Sequence, residues 1–366
     1  MSARYEVAIA GGGPAGLSAA IACALRGLKV VVLERRELPA DKACGEGLMP
    51  KGRAVLERLG VLPLIPAEER APFAAIRYQQ EDGRFVDGEL PAPGGVGIRR
   101  LALSRALYLR ALEVGVEVRQ QTALREHRAL SSHVELVTDA GALEAEVLIA
   151  ADGLHSPLRA AEGLAIEDAG PKRFGLRRHF RIAPFGSRVE VHFGPGVEAY
   201  VTPAGRERVG IAFLWRDGDV PGRVGFDELL ARFPVLAERV RGAPFDSEPM
   251  GAGPLLRRVK RLCAPRFVLL GDAAGYVDAI TGEGLSLAFV AAESLARVLP
   301  DVIKAGGAVE AFGPYEEEVR AEFEPYARLA SALVWAAQRP ALRKFLIDRI
   351  VGRPSVFSFA LRSALG

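Results

Sequence analysis

A chain of 366 residues exceeds the about 100–200 residues of one ordinary domain, so two domains or one large interleaved α/β body is expected. Hydrophobic residues make up 49% and charged residues 25%, which excludes disordered and fibrous classes; 48 Lys and Arg against 45 Asp and Glu leave a net charge of +3, too balanced for a nucleic-acid-binding surface. The three cysteines, Cys23, Cys44 and Cys263, are far apart and form no CxxC, which argues against a disulfide framework or a zinc site and for a reducing compartment.

In chain order, residues 4–10 (RYEVAIA) read as an apolar strand, followed by Gly11-Gly12-Gly13-Pro14-Ala15-Gly16 and an Ala- and Leu-rich helix over 17–26 that Gly27 closes. The first apolar run turns into glycines rather than into a long signal-peptide core, and no run of about 18 apolar residues occurs, so a cytoplasmic protein is expected. Residues 29–33 (KVVVL) form a strand of the kind buried in a parallel sheet and complete a β-α-β unit. Ser104 is expected to N-cap a helix running to about Val114, and residues 116–119 (VEVR) return to alternation. Residues 145–150 (AEVLIA) are another buried strand, ending in Ala151-Asp152-Gly153. From 173 to 215 the texture changes to period-two segments between Pro and Gly turns, which predicts an antiparallel sheet inserted into the α/β body. Residues 266–270 (RFVLL) again form a buried strand, leading to Gly271-Asp272, and helical texture dominates from 284 to the end.

Three turns at strand ends carry chemistry. Gly11, Gly13 and Gly16 form GxGxxG between a buried strand and a helix, with a second strand ending at Glu34. Gly11 permits the tight turn, Gly13 lets backbone approach a pyrophosphate, and Gly16 lets helix and strand pack closely. The helix N-terminus then faces the anion, and Glu34 stands where a carboxylate accepts hydrogen bonds from a ribose. Asp152 and Gly153 lie in ADGLHSPLR directly after a strand, and alone they would be only a turn. Gly271 and Asp272 open GDAAGYVDAITGEGLSLAF, in which Gly282 and Gly284 stand at a second helix start that offers N–H groups to an electron-rich ligand.

Together and in this order, GGGPAG with LERR, ADGLHSPLR and GDAAGYVDAITGEGLSLA resemble the FAD-dependent oxidoreductases of the p-hydroxybenzoate hydroxylase fold over nearly the whole chain. That family includes aromatic-ring monooxygenases, flavin-dependent halogenases and geranylgeranyl reductases. The resemblance implies that Gly11, Gly13, Ala15 and Gly16 hold the FAD diphosphate, that Glu34 holds the adenosine ribose, and that Arg35 is an adenosine neighbour. Asp152 and Gly153 match the segment supporting FAD and the nicotinamide donor; Gly271 and Asp272 match the segment touching the ribityl and diphosphate groups. Gly282, Glu283, Gly284 and Leu285 match the segment whose amides face the flavin pyrimidine, and Arg105 matches an arginine that contacts FAD.

Ring hydroxylases carry a proline and an asparagine in the third motif, where Ala279 and Ser286 stand here. The halogenase Trp-x-Trp-x-x-Pro signature is absent, since Trp215 and Trp335 are far apart. Cys44 in DKACGEGLMP resembles the Cys-Gly loop of geranylgeranyl reductases near the flavin, with a small buried residue in a tight loop as the plain alternative. Tyr200 in AYVTP matches the tyrosine of their Tyr-x-Trp-x-x-Pro segment, but Thr202 replaces the tryptophan. The five histidines are scattered; His179 and His192 fall in the expected substrate sheet, and neither is assigned a role. The basic, apolar stretch 339–366 would lie on an anionic membrane surface or pack on the protein, and the acidic run at 316–318 with Glu322 and Glu324 favours packing.

The sequence is therefore identified as an α/β chain with a discontinuous Rossmann-type FAD-binding domain (1–70, 98–170 and 264–310). To this it adds an inserted antiparallel β-sheet substrate domain (71–97 and 171–263) and a helical C-terminus (311–366). The resemblance implies FAD as cofactor, NAD(P)H as electron donor and a small-molecule substrate. It favours a monooxygenase working through a flavin C4a-hydroperoxide on a small hydrophobic or aromatic metabolite. A reductase of substrate double bonds is the alternative, and an FAD-binding maturation or scaffold protein without turnover is the reading from another class.

Overall fold

The computed structural model describes residues 4–350, apart from 168, 169, 171, 221 and 223, together with 357 and 358. Of the C-terminal basic stretch, everything else beyond 350 lies outside the described residues.

The chain opens with β1 (Arg4–Ala10), α1 (Pro14–Ala24) and β2 (Val30–Leu33). A loop leads to β3 (Gly47–Leu48), α2 (Pro50–Arg58), β4 (Arg70–Phe73), β5 (Ala75–Gln79), β6 (Phe85–Glu89) and β7 (Gly95–Ile98). Next come α3 (Arg100–Glu113), β8 (Glu117–Arg119), β9 (Leu124–Ala129), β10 (Val134–Thr138) and β11 (Gly141–Ala150). After α4 (Pro157–Ala161) and β12 (Ala165–Ile166), four long strands follow: β13 (Arg173–Phe180), β14 (Arg188–Gly194), β15 (Val197–Pro203) and β16 (Val209–Arg216). The remainder is α5 (Phe226–Leu230), α6 (Pro234–Arg239), β17 (Met250–Ala252), β18 (Arg258–Val259), β19 (Cys263–Ala264), β20 (Phe267–Leu269), α7 (Gly284–Lys304), α8 (Gly313–Ala337) and α9 (Pro340–Ile350).

One sheet runs β19-β20-β11-β1-β2-β8, and its β20, β11, β1, β2 and β8 ladders are parallel. Such strands are covered on both faces, which is why they read as continuous apolar runs: Val7, Ile9, Val32, Val147 and Ile149 are fully or almost fully buried. The small residues of α1 let it lie close against the sheet and α7, with Leu17, Ala20 and Ile21 wholly buried. As expected, Gly27 follows α1 in the left-handed region, at φ +81°, which glycine adopts without strain. The strands β1, β2, β11 and β20 come from distant parts of the chain, yet their carboxyl ends share one edge. There Gly11, Glu34, Asp152 and Gly271 leave the sheet together, the edge where open parallel sheets place ligands.

The second sheet runs β17-β13-β16-β15-β14-β5-β6. As expected its ladders are antiparallel, with one addition: β14 pairs with β5 in parallel, from Arg188 opposite Ala75 to His192 opposite Gln79. Alternation set its faces but not the strand brought in from residues 75–79, because period two is the same in either pairing. One face buries Ile211, Phe213 and Val201 against α5 and α6; the other turns Val191, Tyr200 and Leu214 toward the first sheet's ligand edge. α8 closes the end of the molecule, pinned by Tyr315 Oη donating to the Leu269 carbonyl at 2.8 Å and Tyr326 Oη to the Asp278 carbonyl at 2.6 Å.

A correction concerns α3. It starts at Arg100 rather than after Ser104, which is buried inside the helix and accepts the Ala40 amide at 3.2 Å. Ser104 Oγ thus ties the loop after β2 to the helix instead of capping it.

Candidate active site

The first turn is shaped by contact. A Cβ on Gly11, whose φ is +112°, would stand 2.4 Å from the Ala151 carbonyl oxygen, and one on Gly16 would stand 2.0 Å from that of Gly11. Both positions admit only glycine. Gly13 differs: a Cβ there meets nothing within 4 Å, so the space before the α1 N-terminus is an open cradle. Glu34 closes the turn from the side, its Oε2 accepting the Gly12 amide at 2.6 Å and its Oε1 the Arg36 amide at 2.8 Å. Arg35 is exposed beside it.

The second and third turns are joined by an arginine within ADGLHSPLR to which the sequence analysis gave no role. Arg159, buried, donates to the Leu154 carbonyl at 2.9 Å and to the Ala273 carbonyl at 3.0 Å, fastening the Asp152–Gly153 turn to the Gly271–Asp272 turn. Asp152 accepts the Leu158 amide at 3.3 Å, and burial raises its pKa above the ordinary value. Its Oδ1 has no partner among the described residues. Gly271 sits at φ +63° and its Cα approaches Ala15, so the first and third turns touch. Asp272 pairs with Lys42 at 3.0 Å.

Gly282, at φ +70°, turns the chain into α7, where Gly284 and Leu285 present the first free amides. Glu283 beside them is buried, and burial pushes its carboxyl up to about 8. It is therefore neutral near pH 7 and adds no negative charge to a helix N-terminus that favours anions. Its Oε1, Thr281 Oγ1 and Ser286 Oγ have no partner among the described residues.

One cavity gathers Gly13, Ala15, Gly153, Asp272, Gly282, Gly284 and Leu285 from the three motifs, and Cys44 from the loop before β3. Gly11, Gly16 and Gly271 shape the turns beneath it, and Glu34, Arg35 and Asp152 lie outside its lining. Arg105 is exposed on α3 and outside the lining, whereas Arg100, five residues earlier, is 7% exposed and lines the cavity. Burial works against the charge of Arg100, but Cys44, Asp272 and Glu46 outweigh it and hold its pKa above the ordinary arginine value. Its Nε has no partner among the described residues. The visible signal is the Arg99-Arg100 pair between an apolar strand and an apolar helix, which an expected helix start five residues later hides.

The wall opposite the motifs is the inner face of the second sheet: Ile76, Val189, Val191, Ala212 and Leu214, with the hydroxyl-bearing Tyr200 and Thr202. Arg177 also reaches it, held by Asp41 at 2.5 Å. Beneath, Glu46 accepts from Arg99 at 3.1 Å and from the Arg100 amide at 2.8 Å, and lies 2.6 Å from His179 Nε2. Burial pushes Glu46 upward, but the His179 contact, the charges of His179 and Arg99 and the Arg100 amide hold its carboxyl below the ordinary range. His179 thus fixes the loop that carries Cys44 and does not line the cavity. His192 faces away from it, 2.9 Å from Glu190.

The unpartnered Nε of Arg100, the open cradle at Gly13 and the free amides of α1 and α7 fit a long ligand with a diphosphate and an electron-rich ring, as in FAD. Residues 4–178 match the FAD binding domain family. The chain is 28% identical over 356 residues to digeranylgeranylglycerophospholipid reductase 1 of Methanopyrus kandleri, covering 90% of this chain and 91% of that protein. Its fold is shared with a flavoprotein/dehydrogenase from Cytophaga hutchinsonii (TM-score 0.85, 19% identity, 99% and 93% coverage). It is also shared with p-nitrophenol 4-monooxygenase from Pseudomonas putida (TM-score 0.82, 24% identity, 100% and 99% coverage). The three motifs, the match of residues 4–178 to the FAD binding domain and the shared fold agree: the chain carries an FAD binding domain, has the fold of these flavoproteins and is similar to the FAD-dependent oxidoreductases of the p-hydroxybenzoate hydroxylase fold.

Proposed function

We infer that this oxidoreductase is a reductase that saturates carbon–carbon double bonds in an apolar, isoprenoid-like chain, with NAD(P)H as the electron donor. The observation that carries this reading is the sheet wall of the cavity, where Ile76, Val189, Val191, Ala212 and Leu214 offer methyl groups and Arg177 brings the only charge from that sheet. Such a wall binds a substrate by excluded water, at about 25 cal/mol per Å² of apolar surface covered. The name of the Methanopyrus relative, a reductase of a geranylgeranyl lipid, supports the same substrate class.

FAD, when bound, supplies the hydride that it has received from the nicotinamide. The chain's own groups provide the rest. Gly13 and the α1 amides would receive the diphosphate, Lys42 and Arg100 would add positive charge, and Asp272 would offer an acceptor to the cofactor's hydroxyls. The α7 amides at Gly284 and Leu285 favour negative charge on the adjacent ring, and the neutral Glu283 leaves that preference intact. Cys44 stands in the same cavity as these amides.

The test is to photoreduce the FAD-loaded protein without oxygen and mix it with a geranylgeranyl lipid. Return of the oxidised flavin spectrum together with a product heavier by two hydrogens is expected. If the flavin stays reduced until oxygen is admitted, and an oxygen atom then appears in the product, the monooxygenase replaces the reductase. No reaction in either arm would leave a flavoprotein without turnover.

A further inference from the structure

A second cavity, of about 710 Å³, lies outside the one described above, between α8, α7, the segment 256–262 and the turn 271–278. Its body is apolar. Leu287 and Ala291 come from α7; Val319, Phe323, Val334 and Trp335 come from α8, spaced as a stripe along one helix face. From Val319 to Trp335 that stripe runs about 24 Å at 1.5 Å per residue, the length of a lipid chain rather than of a small metabolite.

One end is basic. Arg257, Lys260 and Arg261 come from the segment before β19, and Arg320 faces them from α8. Arg257 donates to the Leu154 and Leu256 carbonyls and Lys260 to the Gly163 carbonyl, so neither is neutralised by an acid in those contacts. Arg261 and Arg320 are exposed and form no hydrogen bond or ion pair among the described residues. Of the carboxylates in the lining, Asp272 holds Lys42 and Asp278 holds Arg173 at 2.7 Å, while Glu316 accepts the Leu262 amide at 2.9 Å and keeps its charge, so the cations of this end outnumber the one carboxylate among them. The same field reaches His155, whose pKa is pushed below the ordinary value by burial and by the charges of Arg257, Lys42 and Arg159.

An apolar trough with a net cationic end matches one kind of ligand. We propose that the α8 trough is a binding site for a single-chain anionic amphiphile, its phosphate on Arg261 and Arg320 and its chain along Phe323 and Val334. The site is separate from the flavin cavity but shares a wall with it, since Asp272, Tyr276, Gly284 and Ala288 line both. The assignment holds whichever reaction the flavin cavity performs.

The probe is 1-oleoyl lysophosphatidate below its micellar concentration, titrated into the FAD-loaded protein. One molecule bound per chain is expected, undisturbed by equal concentrations of inorganic phosphate or NADPH. Arg261→Glu with Arg320→Glu should weaken it at least about tenfold, because both contacts become repulsive. Ala327→Trp should abolish it by filling the trough, with the flavin spectrum and unfolding midpoint as checks that the chain is folded. Three results would overturn the proposal: no binding by the unaltered protein, equal binding by the charge-reversed variant, or displacement by NADPH, which would make this a dinucleotide site. A parallel arm uses phosphatidylglycerol vesicles. Vesicle binding that depends on Arg261 and Arg320 but survives Ala327→Trp, without binding of the monomer, would mark contact with a membrane surface and also overturn the trough.

Discussion

His179 Nε2 lies 2.6 Å from Glu46 Oε2, a contact between residues 133 apart that joins the inserted sheet to the loop carrying Cys44. Both side chains are about 1% exposed. Their pairing ties β13 of that sheet to the loop at the floor of the cavity.

Glu46→Gln should cost about 3 kcal/mol of stability at pH 7, because Arg99 and His179 lose a buried charge partner. The Glu46 carboxyl is held below its unfolded value, so its contribution is present above about pH 4.3 and is lost as pH falls through the lowered value. Urea unfolding between pH 3 and 7 checks this: the variant should lose less stability in acid than the parent does. A parallel decline would show that Glu46 is not the titrating group.

Gly13→Asp should purify colourless yet folded, since the new side chain enters open space and repels the diphosphate. Gly11→Ala should behave in the opposite order. Its Cβ would press on the Ala151 carbonyl at a strained φ, destabilising the fold by more than about 1 kcal/mol. Full FAD occupancy in Gly13→Asp, read from the ratio of flavin to protein absorbance, would overturn the assignment of the first turn.

Arg100→Met should weaken FAD binding by about 1.5–3 kcal/mol, the range for a hydrogen bond to a charged group. Arg105→Met should leave it unchanged. Fluorescence titration of the two apoproteins with FAD decides between them, and equal losses would return Arg105 to the site.

Glu283→Gln should flatten the fall of stability between about pH 4.5 and 8. The folded carboxyl titrates at about 8, above its unfolded value, so its contribution is present below about pH 4.5 and is lost as pH rises through 8. At 1.36 kcal/mol per unit the whole effect is on the order of 5 kcal/mol. Thermal unfolding from pH 5 to 9 measures it, and an unchanged slope in the variant would mean that Glu283 is ionised throughout.

Cys44→Ser should keep its FAD and lower turnover, since the thiol lines the cavity and its Sγ accepts the Glu46 amide at 3.3 Å. Stopped-flow reoxidation of the reduced flavin by a geranylgeranyl lipid gives the rate. Identical rates would leave Cys44 as a small residue in a tight loop.

The sequence by itself determined the parallel sheet and its three turns. Continuous apolar runs ending in glycine or aspartate record a local requirement, burial on both faces followed by a backbone that only glycine can follow. Gly11, Gly16, Asp152, Gly271 and Gly282 were legible for that reason. Only the tertiary structure decided which charges serve the cavity. Arg100 and Arg105 lie on one helix and carry the same charge, and a helix start misplaced by five residues exchanges the buried one for the exposed one. It also decided that His179 locks a loop, that Arg159 joins two turns and that β14 accepts β5 in parallel. Each depends on partners more than 100 positions away in the chain, where period and local propensity carry no information.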